Sequence, residues 1–233
     1  MIEVSHLQKK YGKLIVLKDV NFQIANGGIF AVLGPNGSGK TTILKSILGM
    51  VLPTKGQIQI NDESVIGTHE YRNQIGYLPQ IARFPDNLTV LELIAMIKDL
   101  RRQSANEDEL IDLLELTPHL KKKLGGLSGG TRQKVNLVLT FMFDSEIFIL
   151  DEPTAGLDPI SLVKLKELIR NKRAEGKTII LTTHIMSLVE ELADEIIFLL
   201  EGEIHYQGSI TQLEQQTKSP TLEQSIATML QNV

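Results

Sequence analysis

Two glycine-rich stretches carry the residues best suited to chemistry. The first is Gly34-Pro35-Asn36-Gly37-Ser38-Gly39-Lys40-Thr41-Thr42, in which two glycines separated by four residues are followed by a lysine and two threonines. Backbone N–H groups of such a loop can close around phosphates, the lysine can reach the β- and γ-phosphates, and the Thr41 hydroxyl can ligate Mg²⁺. The second is KLGGLSGGTRQKVN at residues 123–136, with four glycines, a serine and then a helix-like run. A helix N-terminus is also suited to an anion. Two cradles holding one nucleotide from the same side would be redundant. The second loop is therefore expected to serve the nucleotide of a different molecule.

Acids follow at the right distance. IFILDE is a continuously apolar stretch closed by Asp151 and Glu152. Asp151, at the end of a buried strand, can hold Mg²⁺ through water. Glu152 stands where it can orient or deprotonate a water for in-line attack on a phosphorus. Three further residues are ordinary alone and gain weight only from their order along the chain: Gln80 at the end of GYLPQ, His184 at the end of TIILTTH, and Tyr11 in KKYGK. Tyr11 is placed to stack on a base, although a lone aromatic near an N-terminus is more often core.

These groups must be positioned by strands and helices. IEVSHLQKKYG, VLKDVNFQI and GQIQIND alternate apolar and polar residues, as half-buried strands do. IFAVLG, IFIL and TIILTT are continuously apolar and read as buried strands of a parallel sheet, the first feeding the phosphate loop and then a helix from TTILKSILGM. Residues 88–101 read as a helix, with Thr89 and Glu92 at capping-box spacing and Leu91, Leu93, Ile94, Ile97 and Leu100 on its apolar face. Ser104 and Glu107 open a second helix, and Ser128 a third. Asp158 and Pro159 begin another, with aspartate at the cap and proline at the first helical position. A hairpin is expected around Glu201 and Gly202, and a polar tail with one short amphipathic stretch from Ser209 onward. Alternation of strands and helices implies an α/β fold with a mostly parallel sheet. The helix-only segment at residues 87–143 interrupts that alternation and is expected to form a lobe beside the core.

The bulk numbers narrow the class. The chain has 233 residues, 42% of them hydrophobic and 22% charged, which suits a globular chain with a sizeable core. A net charge of −4 gives no reason to expect nucleic acid as a partner. There are no cysteines, so disulfides, thiolate metal sites and a cysteine nucleophile are excluded. MIEVSHLQKKYGK lacks the apolar core of a signal peptide, and the longest apolar runs fall far short of the ~20 residues needed to span a bilayer.

The order Tyr11, GPNGSGKT, Gln80, LSGG, ILDEP, GLD, His184 resembles the nucleotide-binding subunit of an ATP-binding cassette (ABC) transporter across essentially the whole chain. The resemblance implies a P-loop NTPase core with a mostly parallel sheet, an antiparallel β subdomain and a helical subdomain. It implies one ABC ATPase domain over residues 1–233, with the helical subdomain at about 87–143 and a C-terminal tail at about 209–233. ATP and Mg²⁺ are the implied cofactors. ATP would be bound by Tyr11 against the adenine and by Gly34, Pro35, Asn36, Gly37, Ser38, Gly39, Lys40, Thr41 and Thr42. Lys40, Gln80, Glu152 and His184 would be catalytic, with His184 on the γ-phosphate. Thr41, Gln80 and Asp151 would attend the metal. Two subunits would pack head to tail, so that Ser128, Gly129 and Gly130 cap the partner's ATP and Asp158 lies in the loop that crosses the dimer. The other implied partner is an integral membrane permease on a separate chain, which places the protein in the cytoplasm at the inner face of the cell membrane. Thr131 departs from the glutamine that commonly follows LSGG.

In the same resemblance, residues 81–90 form a groove for a helix of the permease, with Phe84 and Pro85 as docking residues; a plain core-filling role for Phe84 is the alternative. IGYLPQIARFPDNLTV, LSGGTRQKVN and THIMSLVEELADEIIFLLEG resemble exporter (ABC-2) type ATPases that accompany nitrous oxide reductase maturation, serving copper or sulfur delivery. A soluble ABC ATPase that moves no solute, such as one in iron–sulfur cluster assembly, also fits the length. A small-molecule kinase would share only the phosphate loop and leaves LSGG and His184 without a role.

Overall fold

A computed structural model of the chain describes residues 1–231. Residues 232 and 233, the end of the expected tail, lie outside the described residues. The chain begins with two antiparallel strands, β1 (Ile2–Tyr11) and β2 (Leu14–Ile24), turned at Gly12, where φ is 58°. After β3 (Gly28–Leu33) and α1 (Lys40–Ile47), the strand β4 (Lys55–Ile60) returns to pair with β1, and a two-residue strand β5 (Glu63–Ser64) closes a sheet ordered β2-β1-β4-β5. The remaining strands are β6 (Ile75–Leu78), β7 (Ile147–Asp151), β8 (Thr178–Thr182), β9 (Glu195–Leu200) and β10 (Glu203–Gly208). They join β3 in a second sheet, ordered β10-β9-β3-β8-β7-β6, parallel throughout except for the terminal β9–β10 hairpin. The mixed α/β architecture expected from the alternation is present, with one antiparallel and one mostly parallel sheet.

Period-two alternation divides the core. Ile29, Ala31 and Leu33 of β3, with Phe148 and Leu150 of β7, face one apolar cluster. Phe30 and Val32, with Ile147 and Ile149, face the other. The first is covered by α2 (Val90–Arg101), α3 (Glu107–Leu113), α4 (Gly129–Phe141), α5 (Pro159–Ala174) and α6 (Met186–Leu192), and by α7 (Ile210–Thr217) and α8 (Leu222–Gln231). The second is covered by α1 and the antiparallel sheet. Burial on both faces explains why residues 147–150 of β7 and residues 179–181 of β8 are continuously apolar.

Three expectations are corrected. The apolar face of α2 is narrower than expected: Leu93 and Ile94 are buried, whereas Leu91 and Leu100 are 51% and 72% exposed, because only one stripe of the helix meets the core. The next helix starts at Glu107 with Asn106, not Ser104, at its N-terminus. Tertiary pairing draws the preceding segment out: Ala105 bridges Phe143, and the Asn106 N–H donates to the Met142 carbonyl at 2.7 Å. The tail contains two helices, not one amphipathic stretch. Ser209 and Gln212 form a capping box for α7, and Glu190 of α6 accepts the Leu222 N–H that opens α8.

Candidate functional site

Carboxyl ends of parallel strands form a crevice where ligands bind in folds of this type. Here the ends of β3, β7 and β8 converge. The loop after β3 turns back through three glycines at positive φ: Gly34 (148°), Gly37 (83°) and Gly39 (111°). A Cβ on Gly34 would stand 2.0 Å from the Leu199 carbonyl oxygen, so the loop lies flush on β9. The loop opens into a cleft of about 320 Å³, lined by Asn36, Gly37, Gly39, Lys40, Thr41 and Thr42 and, from the facing elements, by Gln80, Asp151, Glu152 and His184.

Lys40 is buried and folds over its own loop, its Nζ donating to the carbonyls of Gly34 at 2.7 Å and Pro35 at 3.0 Å. Burial draws the ammonium pKa down, and the charges of Glu152 and Asp151 oppose that shift. Asp151 is fixed from two sides: Thr182 Oγ1 donates to its Oδ1 at 2.6 Å and Thr41 Oγ1 to its Oδ2 at 3.2 Å. Glu152 adopts a left-handed backbone, φ 51°, which is uncommon for a residue with a side chain. Its N–H is held by the Thr182 carbonyl at 3.2 Å and hydroxyl at 3.0 Å. Its Oε1 lies 2.7 Å from His184 Nε2. Burial raises the Glu152 pKa above the ordinary glutamate value, and the neighbouring His184 works against that rise.

The donor set fits a nucleotide phosphate chain with Mg²⁺. Among the described residues the buried Ser38 hydroxyl has no hydrogen-bond partner, beside a cradle in which Gly34 and Gly39 leave no room for a Cβ atom. Thr41 and Asp151 bring hard oxygen donors together, with Gln80 on the same cleft. Among the described residues no group of three His, Cys, Asp or Glu side chains is placed to hold a metal by itself. That suits a cation which takes one or two protein oxygens and the rest from phosphates and water.

Other expected residues stand elsewhere. Ser128 is the N-cap of α4, its Oγ accepting the Thr131 N–H at 3.2 Å, and with Gly129 and Gly130 it lies off this cleft. Asp158 caps α5, taking the Ser161 N–H at 2.9 Å and hydroxyl at 2.7 Å, and those bonds hold its pKa well below the usual carboxylate range. It also pairs with Lys134 of α4 at 3.4 Å. Tyr11 is 47% exposed at the end of β1, with the Lys9 ammonium 4.7 Å from its ring centroid; its cross-strand neighbour Leu14, not Tyr11, lines the cleft. Phe84 is half-buried against the larger cluster, while Ile81 is the exposed apolar residue of that segment, at 68%. Sequence reasoning missed Thr182, which braces both acids. Its only signal was its place at the end of a buried strand. It also missed Gln133 and Asn136, buried polar residues of α4 whose signal was their helical spacing within an apolar stretch.

Residues 17–155 match the family model described as ABC transporter. The Nod factor export ATP-binding protein I of Rhizobium johnstonii is 36% identical over 234 residues, spanning 95% of this chain and 74% of that protein. The lantibiotic transport ATP-binding protein SrtF of Streptococcus pyogenes is 33% identical over 216 residues, spanning 90% of this chain and 93% of that protein. A solved ATP-binding subunit of an ABC transporter superposes with a TM-score of 0.92 at 30% identity, covering 99% of both chains. A dimeric ATP-binding cassette in a post-hydrolysis state with ADP and Pi superposes at 0.80 with 27% identity, covering 90% of this chain and 98% of that one. With the phosphate cradle, the two acids and the strand order already in hand, these matches establish that the chain belongs to the ABC transporter family, as an ATP-binding subunit that is an ATPase and uses ATP with Mg²⁺.

Proposed function

We propose that two copies of this chain close head to tail around ATP and form the motor of an exporter, driving a permease carried on a separate chain. The observation that carries this reading is the separation of the two glycine loops. Lys40, Gln80, Asp151, Glu152 and His184 line one cleft, while Ser128, Gly129 and Gly130 form a helix start that does not reach it. A second copy supplies the missing cap, since a serine hydroxyl, glycine N–H groups and a positive helix end favour an anion. Relatives named for Nod factor export and lantibiotic transport, and the dimeric cassette, support the exporter and the pairing.

The cleft and the family resemblance support the following roles. Residues 34–42 cradle the phosphates and Lys40 neutralises their charge. Thr41, Gln80 and Asp151 would hold Mg²⁺, which when bound would supply charge stabilisation to the phosphates. Glu152 takes the proton of the attacking water, and its burial strengthens it as a base. His184 fixes Glu152 at 2.7 Å and, lining the same cleft, would contact the γ-phosphate. Tyr11 stacks on the adenine, and Asp158 lies at the copy-to-copy seam. The helices of residues 87–143 act as the lobe that meets the permease, and the tail from Ser209 braces the core. Among the described residues no helix is long and apolar enough to cross a membrane, and we place the protein at the inner face of the cell membrane, against its permease. Within exporters, the segments from Ile75, Leu127 and Thr183 support an ATPase of nitrous oxide reductase maturation by sequence resemblance alone.

Glu152→Gln tests the reading. With ATP and Mg²⁺ it should bind nucleotide, barely turn over and accumulate as a dimer; a monomer with ATP bound overturns the sandwich, and wild-type turnover overturns the role of Glu152. The same variant held with ATP in native membranes should co-purify with a polytopic membrane protein. A soluble complex instead would favour the iron–sulfur assembly class.

A further inference from the structure

The inward face of α4 is not apolar throughout. Gln133, Asn136 and Thr140, at helical spacing, are 6%, 3% and 2% exposed. Buried amides are costly unless paired. The two amides each spend a donor on a backbone carbonyl beside the catalytic cleft, while the Thr140 hydroxyl, bonded at 2.8 Å to the Asn136 carbonyl of its own helix, also approaches a strand carbonyl. Gln133 Nε2 donates to the Pro153 carbonyl at 3.1 Å and Asn136 Nδ2 to the Pro79 carbonyl at 3.3 Å, and Thr140 Oγ1 lies 3.2 Å from the Tyr77 carbonyl. Asn136 Nδ2 also reaches Gln133 Oε1 at 3.4 Å, joining the two amides. Pro79 immediately precedes Gln80, and Pro153 immediately follows Glu152. Proline has no N–H, so its carbonyl is the one backbone group available for a grip at either place.

These contacts meet where the backbone needs support. Glu152 has a φ of 51°, a conformation that persists only when its surroundings over-determine it. Thr182 holds the N–H side, and Gln133 holds the far side through the Pro153 carbonyl. The helix itself is seated firmly. A Cβ on Gly76 would lie 2.7 Å from the Thr140 carbonyl oxygen, so glycine lets α4 close onto β6, and Phe141 stacks on Phe148 of β7 at 4.9 Å. The same helix begins at Ser128.

We propose that Gln133 and Asn136 are positioning residues that tie the Glu152 turn and the Gln80 strand end to the signature helix, so that engagement of Ser128 on one nucleotide sets the catalytic groups over the other. The proposal rests on the sandwich reading above and deepens it. α4 touches the partner's ATP at its first turn and its own chain's hydrolytic turn one to two helical turns later. That is a physical link between the two sites of the pair, each biasing the other.

The test compares Gln133→Met, close in shape but without the amide, and Asn136→Ser, which is short and leaves the helix unstrained. Steady-state ATPase, binding of a fluorescent ATP analogue and melting temperature are read on each, beside wild type and Glu152→Gln. Each variant should lose kcat by at least about tenfold with KM and analogue affinity within about twofold. The ATP dependence of the rate should lose whatever sigmoidicity wild type shows. The double variant should fall little below the worse single, because the amides act as one unit. A lowered melting temperature with kcat unchanged reduces the residues to packing and overturns the proposal, as does a parallel loss of affinity and kcat. Wild-type turnover by Glu152→Gln would overturn the site reading as well, which separates that failure from failure of the link.

Discussion

The two glycine loops look alike in sequence and are built for different reasons. In residues 34–39 the glycines at 34, 37 and 39 all have positive φ, and a Cβ on Gly34 or Gly39 would collide with β9 or β2. In the second loop Gly125, Gly126, Gly129 and Gly130 have no positive φ, and a Cβ on Gly126 or Gly129 would meet nothing within 4 Å. The first loop uses glycine because its own fold demands the conformation. In the second, Gly125 and Gly130 are closely approached by Asp86 and by the Gly156 carbonyl, at 2.9 Å and 2.8 Å from a Cβ, whereas Gly126 and Gly129 stay glycine although the fold leaves room for a side chain. Clearance kept at a helix N-terminus is useful only to something that arrives from outside the chain. That contrast fits the proposed composite site, with one half within the chain and the other half on its surface.

The largest effect expected from this contrast is a rescue. Lys40→Ala spoils the inner half of the site and Ser128→Arg the outer half, so each variant alone should lack ATP-dependent turnover. Mixed together, they form pairs in which the intact loop of one faces the intact signature helix of the other, and one of the two sites is whole. ATPase activity measured against mixing ratio should peak near equal amounts. A flat line at zero would break the division of labour between the loops.

The next effect separates stability from function. Gly34→Ala forces a side chain onto φ 148° and to within 2.0 Å of a backbone oxygen, which should cost about 3 kcal/mol or more. Gly129→Ala puts a methyl group into open space in the first turn of α4 and should leave the fold unharmed, or stabilise it by about 0.5 kcal/mol. Its damage should fall on ATP-driven dimerisation. Thermal melts beside size-exclusion runs with ATP would show both, and an unstable Gly129→Ala would erase the distinction.

A smaller effect is expected at Ser128. Its hydroxyl accepts the Thr131 N–H at 3.2 Å and lies 2.8 Å from the Thr131 hydroxyl, so Thr131 joins the cap. Ser128→Ala removes that cap and should cost about 1 kcal/mol. For a chain of this size that is a fall of about 2–4 °C in melting temperature.

Legibility in the sequence followed the range of the interactions. The phosphate loop, the Thr89–Glu92 box and the Asp158–Pro159 helix start are local devices, in which a few adjacent residues satisfy one another, and each could be read directly. Continuous apolar runs disclosed β3, β7 and β8 because burial on both faces leaves no polar period. What escaped depends on distant partners. α8 opens on a carboxylate thirty-two residues away, on Glu190. Thr182 and Gln133 gain their meaning only when β8 and α4 come to lie against the Glu152 turn. Leu91 and Leu100 fit a helical period yet face outward, since period alone does not give the width of the stripe that meets the core.

The smallest effect tests whether the inner half of the site is held at some expense to the fold. Burial raises the Glu152 pKa, with Asp151 acting in the same direction and His184 and Lys40 against it. Below the ordinary glutamate value both folded and unfolded chains carry the proton, and Glu152 has no effect on the pH dependence of stability. As pH rises past that value the unfolded chain releases its proton first, so the folded state loses ground until the raised pKa is passed, and the loss stays constant beyond. Glu152→Gln cannot ionise and escapes this penalty. Its melting temperature relative to wild type, measured without nucleotide, should therefore be higher at neutral pH than at pH below the ordinary glutamate range. An offset that does not change with pH would mean that Glu152 ionises in the folded chain as readily as in water. The low-pH comparison matters because both side chains are then neutral, so an offset that persists there reflects the contacts of the side chain and not its ionisation.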